Sequence, residues 1–152
     1  MELDIDVEKT LDKTRNFLEK DLRKLASLAD RDVTSLSSPQ LSFSCSHGST
    51  KQADDILIDH WSADTALTAI HAAAHHIPNE EHERDIFIQC YFMHRTDKEM
   101  TNRFVISRSS LRRRKNLALV EFARRLDVQK KNPNHNCDWL ESLVVKQVHR
   151  LR

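Results

Sequence analysis

Glycine occurs only once in this chain of 152 residues, and proline occurs only three times. Sheet proteins need a turn at nearly every strand connection, and glycine and proline supply many of those turns. So few turn residues therefore favour helices joined by a small number of connections. The apolar residues agree with this, since they recur at steps of three and four through most of the sequence. We predict an all-α fold, built as a helical bundle.

The N-terminal part of the chain divides into a helix and a connector. An Asp4 or Asp6 cap begins a helix that runs to about Ala29, so residues 1–30 are predicted to form a helical arm. Residues 31–50 are rich in serine and carry turn chemistry. Twenty residues without a helical pattern are long for a connection inside a compact domain. We interpret this stretch as a linker.

The remaining sequence is predicted to form a helical domain followed by an extension. Residues 51–127 contain a long helix that Pro78 ends and a further helix that Asn79 caps. Residues 128–152 begin with a stretch rich in lysine and asparagine. Asp138 is then placed to cap a last helix, so this part is predicted to be a C-terminal helical extension.

The formal net charge of +1 conceals an uneven distribution of charged residues. Residues 1–94 carry a net charge of −8, whereas residues 95–126 carry +7 and residues 127–152 carry +2. A basic block of this kind is the local electrostatic footprint expected for a surface that binds nucleic acid. The whole-chain charge is therefore a poor guide to the partner.

The sequence lacks the features of membrane-spanning and secreted proteins. No apolar run reaches about 18 residues, and the first residues lack the charged and apolar regions of a secretion signal. Cys45, Cys90 and Cys137 are odd in number and widely spaced, as free thiols of a reducing cytosol are. We expect a cytoplasmic protein without membrane contact.

Sequence patterns of catalysis are also missing. No phosphate-binding glycine loop and no zinc-protease motif occurs, so we expect neither an enzyme nor a cofactor. His71 and His75 are spaced by one helical turn, which suits a metal ion. No CxxC pair accompanies them, and we interpret them as helix histidines, with no metal site.

Two helices with a short connection are predicted within the basic block. Thr96 caps the first helix, over about 97–104, and Ser107 caps the second, which runs to about Leu126. The second helix has an apolar face that consists of Leu111, Ala118, Leu119 and Phe122. Two helices joined by three or four residues are typical of a helix-turn-helix, which we predict over residues 96–126.

The polar side of the second helix carries residue types that read DNA. Arginine pairs with guanine and asparagine with adenine, whereas serine donates to either a base or a phosphate. We predict base contacts by Arg108, Ser109, Arg112, Arg113 and Asn116. Phosphate contacts are predicted for Thr96, Lys98, Arg103, Ser107 and Lys115. Arginine-rich helix faces are more often solvated surfaces, but the helix pair and its caps coincide with the basic block and favour double-stranded DNA.

Residues 97–111 read DKEMTNRFVISRSSL and resemble the helix-turn-helix of sigma-factor region 4. Those motifs commonly read E-I-A-x-x-L-G-I-S-x-S-T-V. This chain has Thr101 where alanine is usual, Val105 in place of the turn glycine, and Arg114 where an apolar residue is typical. A β-branched residue disfavours positive φ, so the turn is expected to differ in detail.

A longer part of the chain, from residue 3 to about 127, resembles the ArpU-type phage transcriptional regulators of Gram-positive bacteria and their prophages. The matching segments are DIDVEKTL at 4–11, NFLEK at 16–20, SSP at 37–39 and LALVEFA at 117–123. Membership would imply control of phage late genes for packaging and lysis, as an activator. Residues 128–152 have no counterpart in this resemblance.

Two other functions stay open at this point. One keeps DNA binding but places it in phage DNA packaging, as in a small-terminase-like protein. The other is a helical adaptor whose basic face binds an acidic protein. The acidic N-terminal part of the chain is available for RNA polymerase or for self-association as a homodimer.

Overall fold

The structure is a computed structural model, and it describes residues 5–40, 54–132, 135, 137 and 139–147. The predicted all-α fold is confirmed. Five helical segments and one short 3-10 helix are formed, and the described residues contain no strand beyond an isolated bridge between Ile5 and Lys146. None of the described helices is both long enough and apolar enough to cross a membrane.

The first helical segment comprises α1 (Val7–Asn16), a π-helical turn (Phe17–Asp21) and α2 (Leu22–Leu28). Its predicted start is confirmed, since Oδ1 of Asp6 accepts a hydrogen bond from the Lys9 N–H at 3.1 Å. The π-helical turn widens the helix locally and leaves Phe17 buried beside the following leucines. This apolar side joins the same hydrophobic core as the later helices.

Helix α3 (Asp54–His75) lies at the centre of this core. One of its sides is largely alanine and is buried at Ala63, Ala66, Ala69, Ala73 and Ala74. Small side chains let neighbouring helices approach closely, and the larger Leu67 and Ile70 fill the space between them. Residues 54–59 belong to α3, but the positions of their side chains are outside the described part.

The beginning of the predicted linker is structured. A 3-10 helix (Val33–Ser37) follows an Asp32 cap, and Leu36 is only 1% exposed. Two histidines of α3 fasten this segment, because Nε2 of His75 lies 2.9 Å from the Leu36 carbonyl and Nε2 of His71 lies 2.7 Å from the Ser38 carbonyl. These histidines therefore serve the packing of the chain. Residues 41–50 of the linker lie outside the described part.

The described residues contain no group of three or more histidine, cysteine, aspartate or glutamate side chains placed to hold a metal ion. The rings of His71 and His75 do lie close, with centroids 4.2 Å apart. Their Nε2 atoms are both engaged with backbone carbonyls, as described above.

The next helical segment begins later than predicted. Helix α4 (Glu83–Phe87) follows His82, which has a left-handed backbone with φ 67°. Asn79 still caps this segment, although it is not adjacent to α4 in sequence. Its Oδ1 accepts a hydrogen bond from the Asp85 N–H at 3.2 Å. A π-helical turn (Ile88–Phe92) then completes the segment.

This π-helical turn changes which residues of the segment are buried. It shifts the helical phase, so that Phe92 is fully buried whereas the adjacent Met93 is 37% exposed. Phe87 is central to the core, since its ring stacks on Phe122 with centroids 4.8 Å apart.

Helices α5 (Asp97–Phe104) and α6 (Arg108–Lys130) follow. Both begin where the sequence analysis predicts, and α6 continues one turn beyond the predicted end at Leu126. The apolar face predicted for α6 is confirmed, as all four of its residues are at most 1% exposed. This face packs on α1, α3, α4 and α5.

The prediction of a helix in the C-terminal extension is wrong over residues 139–147, which are not helical. The carbonyl of Val145 instead accepts from the Asp6 N–H at 2.8 Å, and the Val145 N–H donates to Oγ1 of Thr10 at 3.0 Å. Adjacent β-branched valines favour such an extended conformation. Leu140 and Leu143 are nevertheless buried. Asp138 and residues 148–152 lie outside the described part.

The burial of His75 predicts a pH dependence of stability. Burial lowers the pKa of His75, and nearby His71, Arg84 and His76 add to this, although the hydrogen bond to Leu36 opposes it. The folded state therefore prefers the neutral imidazole, and stability falls as the pH drops below the ordinary histidine pKa of about 6.5. We expect the destabilisation caused by His75→Gln to be smaller at pH 5.5 than at pH 8. Urea unfolding of both proteins at the two pH values measures this, and an equal or larger destabilisation at pH 5.5 would contradict it.

Candidate nucleic-acid interface

The connection between α5 and α6 is short and is capped on both sides. Oγ1 of Thr96 accepts from the Glu99 N–H at 3.2 Å, while Oε1 of Glu99 accepts from the Thr96 N–H at 3.0 Å. This reciprocal capping box fixes the first turn of α5. Oγ of Ser107 accepts from the Ser110 N–H at 3.1 Å and begins α6. Only residues 105–107 separate the two helices.

Val105 ends α5 in a left-handed conformation, with φ 53° and ψ 56°. A valine at this position is strained, since its branched Cβ crowds the backbone in that region. The side chain is 86% exposed, so its own burial does little to offset the strain. The neighbours hold the turn: Ile106 and Phe104 pack against a small cluster of Ile86, Met100 and Leu111.

The first two turns of α6 form an exposed basic surface. Arg108, Ser109, Arg112 and Arg113 are all exposed. Within the part of the chain that the structure describes, no hydrogen bond or ion pair engages the guanidinium groups of Arg108 and Arg112. The same holds for the charged groups of Lys98 and Arg103, which are exposed on α5. We define these four residues as the free basic surface.

Glu81 holds two further arginines of α6. Its Oε1 lies 3.3 Å from a guanidinium nitrogen of Arg113 and 3.6 Å from Nε of Arg114. Arg114 also donates to the Glu81 backbone carbonyl at 3.2 Å. Arg113 thus has an internal partner, although more than half of its side chain is exposed.

Lys115 is mostly buried, with 22% of its side chain exposed, and it is paired within the chain. Its Nζ donates to Asp97 at 2.9 Å and lies 5.6 Å from the centre of the Tyr91 ring. Burial lowers the pKa of Lys115, but the hydrogen bond with Asp97 and the nearby Tyr91 and Cys90 outweigh it, so that the pKa is raised overall. Lys115 is therefore positively charged and joins α6 to α5.

The Cys90 thiol beside this lysine is unreactive. Burial raises the pKa of Cys90 to about 11, despite the nearby Lys115. A thiol with this pKa stays protonated at neutral pH, and the thiolate is the nucleophilic form. Cys90 is better described as a packing residue of the second apolar cluster.

Asn116 is bonded to the N-terminal helix. Its Oδ1 accepts from a guanidinium nitrogen of Arg15 on α1 at 2.8 Å. Pairing with adenine requires both the oxygen and the nitrogen of the carboxamide, and this contact occupies the oxygen. Of the five residues predicted to contact bases, Arg108, Ser109 and Arg112 thus share one exposed surface without a partner from another helix. Arg113 and Asn116 adjoin that surface but are held by Glu81 and Arg15.

A groove of about 550 Å³ runs beside this surface, between the start of α1 and the outer side of α6. Its residues are Val7, Ser109, Arg112, Arg113, Asn116, Leu117, Val120, Glu121 and Arg124. The sequence analysis assigns no function to Val7, Leu117, Arg15 or Glu81. The only local signal of this groove in the sequence is Leu117, an apolar residue on the polar side of α6. The contacts of the other residues join positions that are far apart in sequence.

No protein-family model, no curated protein and no solved structure matches this chain. The functional interpretation is therefore based on the geometry and charge of the interface. An exposed helix start with two unpartnered arginines can bind an anionic surface and can donate paired hydrogen bonds.

The strain at Val105 gives a test of the turn. Val105→Gly removes the Cβ that crowds the left-handed conformation, at some cost in unfolded-state entropy, and is expected to raise the free energy of unfolding by roughly 0.5–1 kcal/mol. Val105→Ala keeps the Cβ and is expected to change it much less. Urea unfolding followed by circular dichroism measures both. Equal effects of glycine and alanine would show that the left-handed turn is not formed.

Proposed function

We propose that the protein is a sequence-specific regulator of transcription that binds the major groove of double-stranded DNA with the first two turns of α6. The observation that supports this most strongly is the pair Arg108 and Arg112. They lie one helical turn apart at the exposed start of a helix, and the described residues provide no carboxylate for either guanidinium. Arginine in this setting forms bidentate hydrogen bonds with O6 and N7 of guanine.

The neighbouring helix is suited to the DNA backbone. Lys98 and Arg103 are exposed on α5, and the basic block 95–126 has a net charge of +7. Phosphate contacts of this kind position a protein on DNA without reading its sequence. Thr96 and Ser107 use their hydroxyl oxygens as caps. The Thr96 hydroxyl also donates to Oε1 of Glu99 at 3.1 Å, so its single hydrogen is engaged within the capping box. Oγ of Ser107 lies 3.2 Å from Oγ of Ser109, and these two hydroxyls provide the donors that a phosphate could accept.

We interpret α5 and α6 as a helix-turn-helix. The support consists of an eight-residue first helix, a three-residue connection and a shared apolar cluster of Met100 and Leu111. In such motifs the N-terminal residues of the second helix contact the base edges. The free arginines are in this position, whereas Asn116 is held by α1 beyond it.

The biological role proposed is activation of phage late genes for packaging and lysis, in the cytoplasm of a bacterial host. This role comes from the resemblance to ArpU-type regulators given above. The net charge of −8 over residues 1–94 makes that part of the chain available to RNA polymerase. The two alternative functions are a small-terminase-like packaging protein and a helical adaptor. The experiments below distinguish them from the proposed regulator.

Substitution of single basic residues separates base recognition from phosphate binding. Arg112→Ala is expected to cost about 1–3 kcal/mol on the cognate site and to relax the base preference there. Lys98→Ala is expected to weaken binding to cognate and scrambled DNA alike, and to reduce the salt dependence. Fluorescence anisotropy with duplexes tiled over intergenic DNA of the phage or prophage, at two salt concentrations, measures both effects. Arg23→Ala on α2 removes the same charge and is the control.

The outcomes of this experiment discriminate the candidate functions. If Arg112→Ala and Lys98→Ala bind every duplex as the unmodified protein does, the assignment of α6 is wrong. Uniformly weak binding would favour the helical adaptor. Tight binding confined to a packaging site would favour the small-terminase-like function.

Glu81 is expected to restrain DNA binding, because it holds Arg113 and Arg114. Glu81→Gln removes one negative charge and frees Arg113 for a phosphate. We expect binding to all duplexes to become about threefold tighter, with a salt dependence steeper by about one counterion. Glu19→Gln in the first π-helical turn makes the same charge change away from α6 and is the control. An equal gain with Glu19→Gln would contradict the specific role of Glu81.

A further inference from the structure

The outermost side of α6 carries an apolar pair that no helix of the described part covers. Leu117 is 47% exposed and Val128 is 67% exposed. Eleven residues, or about three helical turns, separate them, so they lie on one line along the helix. Glu121 and Arg124 lie between them on the same line. We call Leu117, Glu121, Arg124 and Val128 the outer stripe.

We propose that the outer stripe is a homodimer surface, on which α6 of a second copy of this chain packs in antiparallel orientation. A twofold axis between positions 122 and 123 sets Leu117 opposite Val128 of the partner subunit. The same axis sets Glu121 opposite Arg124 of the partner subunit. Each contact occurs twice, as an isologous interface requires.

The pattern of charge in the stripe selects the antiparallel orientation. In a parallel pair, Glu121 would face its own copy and Arg124 would face its own copy, which places like charges together. In the antiparallel pair, opposite charges meet at the centre and apolar side chains meet at the two ends. Within one chain, Oε1 of Glu121 lies 3.7 Å from a guanidinium nitrogen of Arg124 and Oε2 lies 3.0 Å from Nε of Arg125. The Glu121 side chain is 30% exposed and the Arg124 side chain is 53% exposed, so solvent reaches both groups of the central contact.

The groove beside the stripe adds apolar area to this surface. Val7 of α1 is 51% exposed, and Val120 is partly buried next to it in the groove. The outer stripe itself has one carboxylate and one guanidinium at its centre and an apolar side chain at each end. In the antiparallel pair it is therefore complementary to itself in both charge and hydrophobicity.

Cysteine cross-linking tests the orientation. Leu117→Cys and Val128→Cys are prepared separately, and each is oxidised alone and after mixing. The antiparallel pair predicts a disulfide between positions 117 and 128 only in the mixture, identified by mass spectrometry of the joined peptides. The unmodified protein, treated in the same way, gives the background from its own cysteines. Cross-linking of either variant with itself, or none in the mixture, would overturn the proposal.

Charge exchange tests the central contact without added cysteines. Sedimentation equilibrium of the unmodified chain is expected to show a dimer of twice 17.7 kDa. Glu121→Arg and Arg124→Glu are each expected to weaken the dimer about tenfold, and the double variant to restore it. Circular dichroism checks that the fold is kept. A chain that stays monomeric well above the concentrations used for DNA binding, or a double variant no better than the single ones, would overturn the proposal.

The two proposals fail separately. DNA binding by a chain that is monomeric in solution leaves the proposed function intact and removes the dimer surface. A stable dimer that binds no duplex leaves the surface intact and removes the function.

Discussion

The fold depends on the burial of one side of α6. Phe122 stacks on Phe87 of α4, and Ala118 and Leu119 are fully buried beside it. This side packs on α1, α3, α4 and α5, so the helix that presents the free arginines is also the common partner of nearly every other element. A functional surface is placed most accurately when rigid, well-packed elements carry it. Arg108 and Arg112 are therefore positioned by the hydrophobic core and not by contacts of their own.

Internal ion pairs decide how much of the basic block is available to a partner. Glu81 engages Arg113 and Arg114, and Asp97 engages Lys115. These pairs determine which guanidinium and ammonium groups face outward, because they hold the three cations against carboxylates of the same chain. The net charge of +7 over residues 95–126 thus overstates the charge that DNA would meet. What remains is concentrated on the first two turns of α6 and the exposed side of α5.

Local sequence signals predicted the helices around the candidate interface well. The caps at Asp6, Thr96 and Ser107 act within three residues, and the buried face of α6 follows from its apolar spacing. Features that depend on distant residues could not be read in this way. The π-helical turn at Ile88–Phe92 changes the buried side of its segment. Residues 139–147 are not helical, and Val145 bonds to the start of α1 instead. The contact of Arg15 with Asn116 joins residues 101 positions apart, so no local pattern could have shown that the asparagine is engaged.

The length of α6 has a consequence for how its surfaces are divided. The buried side of α6 belongs to the core up to Leu126. The free arginines lie in its first two turns. The outer stripe begins at Leu117. The buried side and the outer stripe differ in direction around the helix. Of the free arginines, Arg112 also lines the groove beside the stripe. The extra turn beyond Leu126 brings Val128 into line with Leu117. It also anchors the C-terminal extension, since Nζ of Lys130 donates to the Leu140 carbonyl at 2.6 Å and Asp127 accepts from the Ser142 hydroxyl at 2.8 Å. A helix that ended at Leu126 would keep the core and the arginines but would lack the apolar end that makes the stripe complementary to itself.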